Sequence, residues 1–265
     1  MIIKPSTSDN KMKFGTLKTK TVEIMPVYGP SYSETICSFS DLQALRISYR
    51  TSAETVKHLI PEELQIEDEP LVTQSLFNWG FSSIGAYTES MTEIEVIYKG
   101  KKHDYAVELV LDNEGAIFLG REKYGMPKVT GKVVFDPAAT SPAPSGYLEG
   151  HIERPYGSRI AHFTFRPTEK VHGVRTLPLP EKAVLALRVI PNPIIGQPPS
   201  LREFVALYLN IAEAEVWNGV GSVKFTGASN FSAAHKFPIV RYERSVFLRH
   251  AQAFLGPDPE VHQLK

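Results

Sequence analysis

The chain holds one cysteine, Cys37, among 265 residues. One thiol can close no intramolecular disulfide and cannot build a cysteine-based zinc or iron–sulfur site, which fits a reducing compartment. An excess of either charge is also missing: 29 Lys and Arg residues meet 29 Asp and Glu residues. Nothing in the bulk electrostatics therefore favours nucleic acid or an anionic membrane, and the expected partner is a small molecule. Long apolar runs are absent too. The run over 204–209 is cut by Asn210 and Glu213, far short of the roughly 20 residues that span a bilayer, so no membrane segment is expected. The first residues, Met1 to Pro5, lack the apolar core of a signal peptide and the arginine-rich pattern of a transit peptide, which leads to a cytoplasmic expectation.

Several catalytic patterns are lacking as well. None of the eight histidines forms an i, i+4 pair beside an acidic residue, so no metal is expected. His151 and His162 could lie on facing strands, or be ordinary surface or part-buried histidines. No glycine pattern joins a strand to a helix as dinucleotide binding requires, and no phosphate loop is present, so no cofactor is expected. Cys37 reads either as a nucleophile or as a small core residue between Ile36 and Phe39.

What is present suits one globular domain over 1–265, with 42% hydrophobic and 22% charged residues. Twenty prolines and eighteen glycines punctuate short alternating or β-branched runs, which predicts a strand-rich α+β fold. The runs 93–99 and 104–111 predict a hairpin around a polar turn at 100–103, and 147–153 with 159–165 predict a second. A capping-box pattern at Thr51-Ser52-Ala53-Glu54 predicts a short helix closed by Pro61. Apolar residues at helical spacing over 246–255, before Gly256-Pro257, predict another. The segment 201–217 fits both periods in part, and 137–146 is a proline-, alanine- and serine-rich loop.

The most informative stretch runs from Leu111 to Lys128 and ends in Gly125-Met126-Pro127-Lys128. Glycine and proline fix a turn there, which would hold Lys128 beside apolar side chains such as Ile117, Phe118 and Met126. By itself this is unremarkable, since lysines after prolines are common at surfaces. The pattern Leu-Asp-Asn-Glu-x-Ala-Ile-x-x-Gly-Arg-Glu followed by Pro-Lys, however, resembles the central motif of the acetoacetate decarboxylase family. Tyr87-Thr88-Glu89-Ser90 resembles a second family motif, and Tyr49-Arg50-Thr51, Pro61-Glu62 and Glu69-Pro70-Leu71-Val72 resemble its N-terminal part. Ile190-Pro191-Asn192 and the block Glu215 to Gly219 are more weakly similar to its second half.

The resemblance implies antiparallel sheets closing into a barrel-like cavity, assembly into a homo-oligomer, and a keto acid as substrate. It implies that Lys128 forms a Schiff base with the substrate ketone and that Glu89 lies in the active site, serving as acid or base. Attack on a carbonyl needs a neutral amine, whereas a free lysine with a pKa of about 10.4 is neutral in about one molecule in a few thousand at pH 7. The site must therefore favour the neutral form, by an apolar surround or a neighbouring cation. Arg121 could hold a substrate carboxylate, or form an ion pair with Glu114 or Glu122 that braces the turn before Lys128. Three positions depart from the family pattern. Val129 replaces a second lysine, Leu42 or Gln43 stands where an arginine falls, and Gln74 or Ser75 replaces an acidic residue. Gln74, Arg121 and Met126 are the expected substrate contacts. The leading expectation is β-keto acid decarboxylation. Aldolase–dehydratase chemistry on a pyruvate-like keto acid through the same lysine is the alternative, and a non-catalytic binding barrel is a third.

Overall fold

The computed structural model describes residues 14–33, 38–137, 146–176, 178, 180–227 and 229–264. Cys37 and most of the 137–146 loop lie outside the described residues. Contacts divide the chain after Ser31. The described part of the shorter unit holds one 3₁₀ turn, Thr19–Thr21. All strands belong to the longer unit, which runs from Tyr32.

Its strands are β1 (Ser38–Arg50), β2 (Leu71–Ser82), β3 (Tyr87–Tyr98), β4 (Lys101–Leu111), β5 (Lys128–Thr130), β6 (Lys132–Val134) and β7 (Leu148–Glu153). They continue with β8 (Arg159–Thr176), β9 (Val184–Ile190), β10 (Leu201–Leu207), β11 (Leu209–Phe225), β12 (Arg241–Leu255) and β13 (Glu260–Gln263). Among the described residues two α-helices join them, α1 (Ala53–Val56) and α2 (Glu114–Tyr124). The sheet order is β13-β10-β9-β4-β3-β2-β1-β12-β11-β8-β7-β6, with β5 on β4. A strand-rich α+β fold is thus what forms. No ladder among the described residues closes the sheet into a ring, but the β6 edge curls back over β3, where Thr88 Oγ1 donates to the Val133 carbonyl at 2.7 Å.

Pairing is antiparallel except along one edge of β4, whose first half takes β9 in parallel and whose second half takes β5 in parallel. That split edge leaves room beside β4 for α2. Two apolar cores sit under the curled sheet. One gathers Leu45, Ile47, Leu76, Phe163, Phe165 and Phe247, and the other gathers Tyr49, Val72, Ile94, Leu185 and Phe204.

Several local expectations change. The first hairpin turns on Lys99 and Gly100 rather than on 100–103, and both have positive φ (48° and 76°), as a two-residue turn matching strand twist requires. The second hairpin forms as expected, with His151 opposite His162. The short helix after residue 51 forms as α1 and continues into a 3₁₀ turn, Lys57–Leu59, but its N-cap is Ser52 and that side chain makes no capping bond. The ambiguous 201–217 segment is strand throughout, broken at Tyr208.

The helix expected over 246–255 is instead β12, paired on both sides. Between the pairs Leu42↔Ala251 and Ala44↔Leu248, β12 spends one more residue than β1, and His250 takes φ 49°. This bulge puts the buried Leu248 and Ala251 three apart, beside Phe247 and Ala251 four apart, so a bulged period-2 pattern imitates a helical one. Pairing with β1 and β11 then decides between the two readings.

On the face opposite the cores, Glu93 is buried with Arg46 3.1 Å away. Burial pushes its carboxyl from 4.5 up to about 7, with Arg46 and Lys182 pulling it down and Asp104 adding to the rise. A carboxyl whose pKa is raised by folding stabilises the fold below its unfolded value, and that contribution is lost as pH rises through the folded value. Stability should therefore fall between about pH 4.5 and pH 7 by this route. Glu93→Gln should flatten that part of a urea-midpoint-against-pH curve, and an unchanged slope would refute the assignment.

Candidate active site

Helix α2 begins where Asn113 Oδ1 accepts the Ala116 N–H at 2.8 Å, an N-cap that satisfies one of the first free backbone donors. It ends at Gly125, which adopts the left-handed conformation (φ 68°) that glycine reaches without steric cost. The chain then turns sharply. Met126 N–H returns to the Gly120 carbonyl at 2.9 Å, and Lys128 N–H bonds the Met126 carbonyl at 2.7 Å. Pro127 presents its carbonyl to Leu109 N–H at 3.1 Å, which docks the segment on β4 and sets Lys128 in register with Leu109. Arg121 donates from its guanidinium to the Lys128 carbonyl at 3.1 Å, so it braces the lysine backbone from the exposed side of α2.

The Lys128 side chain runs into a cavity of about 90 Å³ between α2 and the sheet. Its ammonium lies 2.8 Å from Glu89 Oε1, and the two side chains are only 11% and 4% exposed. The other oxygen of Glu89 accepts from Trp79 Nε1 at 3.0 Å. Trp79 is itself clamped by Phe39, Phe77 and Tyr87, with ring centroids 4.4–6.0 Å away. Strand register explains the grouping. Phe77 lies opposite Glu89 and Trp79 opposite Tyr87, so alternate residues of β2 and β3 share the cavity face. Among the lining residues only Lys128 and Glu89 carry a formal charge; Met126 and side chains from α2, β4, β9, β10 and β11 supply the apolar walls.

The expected site residues separate accordingly. Lys128, Glu89 and Met126 meet at the cavity. Arg121 holds the backbone behind it. Gln74 is one residue out of phase with Phe77, so its side chain leaves the other face of β2, where it accepts from Thr92 Oγ1 at 2.9 Å and donates to Tyr49 Oη at 3.4 Å. Ser75, in phase with Phe77, is fully buried, and its Oγ has no hydrogen-bond partner among the described residues. Val129 turns away from Lys128 and packs against the core around Leu45 and Val110. Leu42 is wholly buried in register with Trp79. Of the apolar neighbours expected beside Lys128, Phe118 is instead exposed and Ile117 is not among the lining residues. The sequence reading missed Trp79, Gly120 and α2 itself. The Asn113 and Gly125 helix boundaries and the alternation Phe77-x-Trp79 were the available signals.

Trp79→Phe keeps the ring stack but leaves a buried Glu89 oxygen without its donor. A loss of about 1–3 kcal/mol in unfolding free energy is expected, read by urea denaturation, and an unchanged midpoint would show that the bond contributes nothing.

The family model described as acetoacetate decarboxylase (ADC) matches residues 24–260. Decarboxylase DEC1 of Cochliobolus heterostrophus is 39% identical over 229 residues, covering 86% of this chain and 89% of that protein. Acetoacetate decarboxylase of Clostridium botulinum is 36% identical over 107 residues, 40% of this chain and 44% of that protein. A solved acetoacetate decarboxylase structure superposes with a TM-score of 0.78 at 25% identity, covering 94% of this chain and 98% of the other. MppR, an enduracididine biosynthesis enzyme solved with the condensation product of pyruvate and imidazole 4-carboxaldehyde, has a TM-score of 0.71 at 13% identity, over 91% of this chain and 95% of its own, and so shares the fold. With 24–260 matched by the family model, the chain belongs to the acetoacetate decarboxylase family.

Proposed function

We propose that this chain decarboxylates a small β-keto acid through an imine on Lys128, with Glu89 moving the protons. The observation that carries the reading is the 2.8 Å approach of the Lys128 amine to Glu89 Oε1 inside a cavity whose walls are otherwise uncharged. The cavity volume corresponds to roughly three waters at about 30 Å³ each, the scale of a short organic acid. The relatives called decarboxylases support the same direction.

The steps follow from the geometry. Glu89 Oε1 takes a proton from the ammonium, and the neutral amine adds to the ketone carbon, forming the C–N bond. A second amine proton reaches the former carbonyl oxygen, and Glu89 returns the first as that oxygen leaves as water. Of the three ammonium protons one stays on nitrogen and two depart in water, leaving an iminium cation and Glu89 ionised again. The bond to the carboxylate then breaks, carbon dioxide departs, and the bonding electrons pass to the iminium nitrogen to give a neutral enamine. An apolar surround withholds the hydration that the carboxylate needs and carbon dioxide does not, which assists this step. Glu89 takes up one proton from solvent and delivers it to the enamine carbon, which restores an iminium and leaves Glu89 ionised. Water then adds its oxygen to the iminium carbon and both of its protons to the nitrogen, so the ketone leaves and Lys128 is again an ammonium.

The departures at Val129 and Leu42 favour a second reading. Among the described residues no cation besides Lys128 lines the cavity, so none of them offers a guanidinium or second ammonium to a carboxylate there. The same lysine could then form an enamine from a pyruvate-like keto acid, by loss of a proton to Glu89, and that enamine would attack an aldehyde. We further propose that the enzyme works as a cytoplasmic homo-oligomer.

Borohydride added with acetoacetate should leave the reduced adduct on Lys128, read by peptide mass. Lys128→Ala should take up none and turn nothing over; full turnover by that variant would end the proposal. Glu89→Gln should lower kcat by about 10²–10⁴-fold, the range for a positioned acid–base group. Carbon dioxide release from acetoacetate, set against absorbance growth from pyruvate plus an aldehyde, separates the two reactions.

A further inference from the structure

Gly120 lies in the body of α2, buried, and lines the cavity. A Cβ built there would stand 2.6 Å from both Cδ and Cε of Lys128 and 3.4 Å from its Cγ, and these are its three nearest neighbours. Carbon atoms pack favourably at about 3.5–4.0 Å, so the two innermost contacts are overlaps. The backbone gives no reason for glycine at this point. Gly120 is not among the residues of positive φ, and in a helix interior alanine is the more stabilising choice. Gly125 differs: its φ of 68° calls for glycine, and a Cβ there would strike the Arg188 backbone.

What the bare Cα of Gly120 provides is a seat. The lysine stem lies flat across the helix backbone, and from that position its amine reaches 2.8 Å from Glu89 Oε1. A methyl group would meet only the far end of a flexible side chain, so the lysine would yield and the helix would not.

We propose that Gly120 is a positioning residue for Lys128: its missing side chain lets the lysine stem lie against α2 and aims the amine at Glu89 and the substrate carbonyl. This rests on the reading of Lys128 as the imine-forming residue. It acts through Lys128 alone, so a methyl at position 120 should cost activity and no more stability than the loss of Lys128 itself.

The test uses the full chain in four forms: wild type, G120A, K128A and the double variant. G120A should melt no lower than K128A, since at most it displaces the amine from Glu89, while its single-turnover borohydride trapping with acetoacetate and its kcat fall by about 10²-fold. Its KM should change little, since a methyl that only narrowed the cavity would act chiefly on KM. In the K128A background, where the stem is gone, G120A should raise Tm by about 2–4 °C, because alanine then contributes its helix preference without a clash. Trapping at the wild-type rate in G120A overturns the assignment. So does a fall in Tm on adding G120A to K128A, since the methyl would then be striking something other than the lysine. Wild-type protein that takes up no label would instead overturn the imine reading itself, and the Tm comparison would still report whether residues 120 and 128 exclude one another.

Discussion

Two opposite charges held 2.8 Å apart in an apolar cavity are the constraint around which this structure is arranged. Burying either charge alone would cost several kcal/mol, and removing one partner from such a pair typically costs about 3–5 kcal/mol. Lys128 and Glu89 therefore have to arrive together, from chain segments 39 residues apart, and each is carried by an element that fixes its direction. Glu89 is fixed by the pleat of β3 and by the Trp79 indole. Lys128 is fixed by the Gly125 turn, the Pro127 carbonyl on β4 and the Arg121 brace.

The split edge of β4 connects this pair to the fold. An ordinary antiparallel neighbour along the whole of β4 would fill the space that α2 and the cavity occupy. Because β9 pairs with one half and β5 with the other, a helix can lie over the gap and a three-residue strand can present a lysine beneath it. The apolar walls then come from strands distant in sequence, including Val184, Leu207 and Leu255. They exclude water from the pair, which strengthens its electrostatic coupling and keeps the proton exchange local. Glu93 lies farther along the same strand and the same face as Glu89, yet its partner is a guanidinium at the edge of solvent. Two buried glutamates four residues apart thus have different surroundings: one closes an ion pair on the sheet face, the other faces a lysine inside an apolar pocket.

Much of the site could be read from one dimension because its parts are local. A glycine and a proline before a lysine constrain the backbone wherever they occur, and the alternation Tyr87, Glu89, Met91 places three side chains on one face of any strand. The motif resemblance drew attention to Lys128 and Glu89. The errors also have local causes. A bulge at His250 gave β12 a helical spacing. Gln74 was matched by counting along the chain, and a one-residue phase difference sends a strand side chain to the opposite face. Helix α2 has an apolar pattern too weak to announce itself, so only its Asn113 and Gly125 boundaries mark it.

Sequence alone determined the strand-rich class and the hairpins, since each depends on residue type and short spacing, and the family resemblance singled out Lys128 and Glu89. Tertiary structure decided the rest: that Arg121 holds the Lys128 carbonyl, that Val129 faces the core, that Trp79 bonds Glu89, and that Gly120 leaves room for the lysine stem. These are facts about which surfaces meet, and the meeting of β4 with β5, β9 and α2 is set by long-range packing that no window of the sequence contains.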